Sequence, residues 1–110
     1  MSTQDRVLWH KREEALAGIE AELMHERANA LGLTSEALER KIAEILVLAA
    51  RVISSGDDGE QRTRALRDHR RAREQAHELK WKLIVQREAL GMTEHGPVDT
   101  LYVIPPPIRR

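Results

Sequence analysis

Cysteine is absent from this chain, which removes disulfides, thiol nucleophiles and thiolate metal sites together. Phenylalanine is absent as well, and Trp9, Trp81 and Tyr102 are the only aromatic rings. Leu, Ile, Val and Ala must therefore fill the core. Such side chains suit closely packed helices and leave little for a β-sandwich. Net charge is also missing: 18 basic and 18 acidic residues cancel, so no overall field draws the chain to nucleic acid or anionic lipid. No apolar run approaches the roughly 18 residues that suggest a membrane span, and no membrane partner is expected. Met1 to Val7 are polar and charged, unlike a signal peptide, so a cytoplasmic location is expected.

What is present is charge and helical patterning. A third of the 110 residues are charged, as expected when long helices show a solvated face, and the length allows one modest core. Arginine outnumbers lysine fourteen to four. Phosphate binding is one reading of that bias. A GC-rich bacterial genome is the other, and the matching number of acids favours it.

The apolar spacing predicts helices over about 5–31, 35–54 and 60–90. In the first, Trp9, Leu16, Ile19, Leu23 and Ala30 share one stripe. Gly32 then reads as a helix stop, Thr34 as a new N-cap, and Leu33 with Leu38 as a hydrophobic staple. So short a connection predicts a helical hairpin. The second helix is apolar over a wide arc (Leu38, Ile42, Ile45, Leu46, Val52, Ile53), which suits a central position. Ser54 to Gly59 is the clearest break, with aspartates placed to start the next helix. That helix presents Ala65, Ala72, Ala76, Leu79, Leu83 and Leu90 on one face, with His69 and Gln86 at its edges, and stops at Gly91.

Beyond Gly96-Pro97, Val98 to Ile104 reads as extended, and Pro105 to Pro107 impose polyproline II. The expected fold is thus all-α: three long antiparallel helices over residues 1–95, a coiled-coil-like bundle, with an extended Pro-rich tail over 96–110.

The three predicted lengths, about 40, 30 and 46 Å, make the third helix overshoot the hairpin by roughly 15 Å. Its last residues are apolar on two sides, since Trp81, Ile84 and Val85 point away from the Leu79–Leu83 face. Exposing those three would forgo roughly 5 kcal/mol. A cover is expected from the chain's own tail, from a second subunit, or from exchanged tails. The interface assigned is Trp81, Ile84, Val85, Leu101, Tyr102, Val103 and Ile104, and the oligomer expected is a homodimer. Residues 1 to 61 carry seven basic and twelve acidic side chains, and residues 62 to 110 eleven and six, a self-complementary division.

Four constellations could carry chemistry. Glu22 with His25 and Glu74 with His77 repeat the Glu-x-x-His spacing of bundle di-iron sites. Helical geometry turns both histidines away from the core faces, however, so no metal or other cofactor is expected. The run Arg62, Arg64, Arg67, Arg70, Arg71 and Arg73 could bind nucleic-acid phosphates. It lacks interleaved aromatics for stacking, and a solvated face paired with acids explains it as well. Arg12 and Arg27 fall within the apolar arc of the first helix. With Gln86 and Arg87 they could line an anion pocket in a small helical enzyme, or their stems could snorkel at an interface edge. The tail could instead be a docking peptide for an SH3-like domain.

The resulting expectation is a non-enzymatic helical adaptor or regulatory protein, homo-oligomeric through its third helix and tail. A nucleic-acid-associated protein using the arginine face is the alternative, and a small enzyme with an arginine-lined anion pocket the second alternative.

Overall fold

The computed structural model describes residues 2–109. Helix α1 runs from Thr3 to Ser54, α2 from Gly59 to Ala89 and α3 from Gly96 to Leu101, with no strand among the described residues. The molecule measures 85 × 23 × 14 Å. Its length comes from α1, whose 52 residues make a rod of about 78 Å.

The first two predicted helices are one. Gly32 does not stop the helix, since among the described residues only Gly56 and Gly91 adopt positive φ. Thr34 does not cap a new helix either: its hydroxyl donates back to the Ala30 carbonyl at 3.1 Å, and the residue is buried at 4% exposure. The physical reason lies across the helix. Leu31, Thr34 and Leu38 form an unbroken line against α2. A turn at Gly32 would destroy that line, whereas glycine inside a helix costs only about 1 kcal/mol.

Local chemistry sets the other ends. Ser2 and Asp5 form a reciprocal capping box at the start of α1. Asp58 caps α2, its carboxylate accepting the Gln61 N–H at 3.0 Å. Between them Gly56 turns the chain at φ +54°, and Gly91 ends α2 at φ +83° while Met92 N–H closes on the Arg87 carbonyl at 2.9 Å.

Helix α2 returns antiparallel along the second half of α1. Arg62 near its start donates to the Val52 carbonyl, and Ala89 at its end accepts from Arg27. Leu38, Ile45, Leu48 and Val52 of α1 meet Ala65, Ala72, Ala76 and Leu83 of α2. Small residues facing large ones allow close approach of the two backbones. His69 joins this face at 3% exposure and is not the edge residue expected.

The tail supplies the third layer. Val98 to Leu101, expected to be extended, belongs to the short helix α3, with Pro97 in its first turn. From Tyr102 to Arg109 the chain has no regular secondary structure and runs back along α2. Val98 is fully buried in the core, Lys80 pairs with Asp99 at 3.2 Å, and Tyr102 shares a hydrogen bond of 2.9 Å with Ser35. Farther on, Arg73 donates to the Pro105 carbonyl at 2.7 Å. The architecture is therefore a two-helix antiparallel hairpin with a tail laid over it, and not three long helices.

The overhang is also the reverse of that expected. Lys80 to Leu90 does not protrude; it lies along α1, with Leu83 buried and Ile84 packed against the core. It is α1 that overshoots. Every residue from Ser2 to Ala30 is exposed, because α2 is 21 residues shorter (52 against 31) and α2 ends near Arg27.

Candidate functional site

The uncovered half of α1 is apolar along one line. Trp9 and Ile45 are thirty-six residues apart, ten turns of an α-helix, and so are Leu16 and Val52; Leu16 and Thr34 are separated by five turns. The stripe of Trp9, Leu16 and Leu23, flanked by Ile19, is thus the same seam that α2 covers farther along. In the second half its residues are buried to 4% exposure or less. In the first half no other element of the described residues covers it: Trp9 is 55% exposed, Leu16 54% and Ile19 62%. One continuous seam is half used.

Arg12 and Arg27 border this seam. Arg12 sits in a shallow depression with Asp5, Leu8 and Trp9, and Arg27 donates to the Ala89 carbonyl at 3.4 Å. Fifteen residues of helix, about 22 Å, separate them. The structure gathers Arg27, Gln86 and Arg87 near the end of α2, where Arg87 donates to the Glu94 carbonyl at 2.9 Å. It does not bring Arg12 to them, so the four residues do not form one anion pocket.

The arginine run does not form one face. Arg62 and Arg73 are half-buried and spent on the carbonyls of Val52 and Pro105. Arg64 lies 3.7 Å from Glu60. Arg64, Arg67 and Arg71 recur at three- and four-residue spacing on one exposed side. Arg70 and Arg73 instead border a depression of about 340 Å³ with Leu66, His69, Pro107 and Ile108. Burial holds the His69 imidazole below its ordinary pKa, and the Arg73 guanidinium adds to the effect.

The residues assigned to an oligomer interface divide. Ile84, Tyr102 and Ile104 pack against the chain's own core. Trp81, Val85, Leu101 and Val103 are exposed, Trp81 at 67%. Trp81 and Val85 lie on the side of α2 away from α1. His25 and His77 are exposed with their paired glutamates, and the described residues contain no group of three metal-capable side chains. No helix of the described residues is long and apolar enough to cross a membrane.

The stripe of Trp9, Leu16, Ile19 and Leu23 was expected to pack within a hairpin; in the structure it stands exposed on the free half of α1, the arm. The signal that could have found it is the eighteen-residue registry of Leu16, Thr34 and Val52, which runs straight through Gly32. Compared with known proteins, the chain matches no family model, no curated protein and no solved structure.

Proposed function

We propose that this chain is a non-enzymatic interaction module that works by docking a helix on the uncovered seam of α1. The observation that carries the reading is the half-used seam. Trp9, Leu16, Ile19 and Leu23 stand exposed on the line that buries Leu38, Ile45 and Val52. In proteins most helical stability comes from tertiary packing of an amphipathic face, and the free half of α1 has no such packing. An amphipathic helix laid along the arm would supply that face, as in helix-in-groove recognition and coiled coils. The hairpin and tail then act as the rigid base from which the arm projects. This reading moves the expected interface from α2 and the tail to the arm, because the tail's Tyr102 and Ile104 are already engaged within the chain.

A photo-crosslinking side chain at Leu16 tests the reading in the living cell. Adducts with polypeptide that disappear when Leu23→Glu is added support it. Absence of adducts from Leu16 ends it. The same probe at Arg67 tests the alternative: Arg64, Arg67 and Arg71 form an exposed arginine side of α2, and nucleic-acid adducts there would favour phosphate binding instead.

A further inference from the structure

The arm carries its charges unevenly. Residues 3 to 12 hold Arg6, Lys11 and Arg12 against Asp5, a net of +2, whereas residues 13 to 26 hold five glutamates and no lysine or arginine, a net of −5. A helix docking on this seam must therefore be acidic over the outer third of the arm and must not be acidic farther in. The arm itself, reversed end for end, meets that requirement toward both ends, with Glu13 and Glu14 of the two copies meeting only at the middle. We infer that the occupant of the seam is the α1 arm of a second copy, paired antiparallel; this rests on the docking reading above and names its partner.

Three further observations point the same way. The first is length. The free seam extends from Ser2 to the neighbourhood of Arg27, where the end of α2 begins to occupy it. That is about 36 Å, or three heptads, and the arm that would fill it is the same 36 Å. A partner arm so placed abuts the end of α2 and continues its line.

The second is steric. Because α2 lies on the same seam as the arm's apolar stripe, two parallel in-register copies would drive their α2 helices into each other beyond Arg27. Reversing one copy puts the two hairpins at opposite ends of the paired arms, clear of each other. The third is electrostatic. Parallel arms would stack the −5 segments side by side, whereas antiparallel arms set the segment holding Arg6 and Arg12, which flank the seam, against the segment holding Glu20. An isologous contact of this kind closes on itself and stops at two.

The absence of cysteine makes the test direct. Full-length protein is studied by light scattering, and a Gln4→Cys variant is spin-labelled for distance measurement. Gln4 lies off the seam near the arm's tip. The mass expected is twice the 12.6 kDa of one chain, with the two labels roughly 30–36 Å apart along the paired arms. Leu16→Glu with Leu23→Glu should halve the mass and abolish the intermolecular distance, while the melting of the hairpin persists. Labels within about 15 Å would mean parallel arms and overturn the inference, as would a dimer unchanged by the double variant. A monomeric mass overturns it too, and the Leu16 photoprobe then separates the two ideas. Adducts with another polypeptide leave the docking reading standing with a foreign helix; no adducts remove both.

Discussion

The hydroxyls of Tyr102 and Ser35 lie 2.9 Å apart, sixty-seven residues distant in sequence, and join the tail to the middle of α1. The bond is half-buried and sits where α3 gives way to extended chain. With Arg73 on the Pro105 carbonyl and Lys80 beside Asp99, it accounts for the tail's path. Tyr102→Phe keeps the ring and removes the hydroxyl, leaving Ser35 to find another partner. Its cost should be about 1 kcal/mol in urea unfolding. A midpoint equal to that of the parent chain would show that the tail is held by the packing of Val98 and Ile104 and the Arg73 and Lys80 contacts without this bond.

Core and arm should respond in opposite ways to the same substitution. Leu38→Ala deletes a side chain with no exposure and should destabilise the hairpin by about 2–5 kcal/mol. Leu16→Ala removes the same atoms from an open surface, so the unfolding midpoint at micromolar dilution should hardly move. Native mass at high concentration is where Leu16→Ala should register. Equal destabilisation by the two variants at low concentration would mean that the arm folds back on the body.

Gly32 and Gly91 form a second contrast. Gly32 is helical, and an added Cβ there meets nothing within 4 Å. Gly32→Ala should therefore stabilise the chain by roughly 1 kcal/mol through better helix propensity. Gly91 sits at φ +83°, where a Cβ is strained, so Gly91→Ala should destabilise. Loss of stability at Gly32 would indicate the turn that the sequence pattern suggested.

Burial of His69 ties stability to pH. Its folded pKa lies below the ordinary 6.5, by burial first and Arg73 second. Below pH 6.5 the unfolded chain takes up a proton that the folded chain refuses, so unfolding becomes easier as pH falls. Above that value the contribution is complete. Thermal unfolding should shift downward on acidification from pH 7 toward 5, and His69→Leu should flatten that limb. An unchanged slope in the variant would assign the pH response to another group.

Which features could be read from residues alone follows from where their energies lie. The break at Ser54–Gly59, the Asp58 cap and the Gly91 stop are local, set by backbone freedom and side chains within a few positions. They were legible for that reason. Gly32, Leu33 and Thr34 carry the same local cues as a helix junction, yet the decision there is made by α2, whose Leu83 and neighbours reward an unbroken Leu31–Leu38 line. No window of a few residues contains that information. Val98 misled for a related reason: its β-branched, aliphatic neighbours look strand-like, but Pro97 starts a helical turn that delivers Val98 into the core. For the site, the stripe of Trp9, Leu16 and Leu23 was visible, whereas its lack of a covering helix was hidden by the break expected at Gly32.

The free arm also has a mechanical side. A rod of about 36 Å anchored only near Arg27 converts a bend of about 10° at its root, within the range of ordinary helix curvature and kinks, into a sweep of about 6 Å at Ser2. The hairpin need not move for the tip to search. Contacts near Leu23 are therefore held close to the anchor and demand accurate fit, while those near Trp9 ride on the end of a lever and tolerate misalignment.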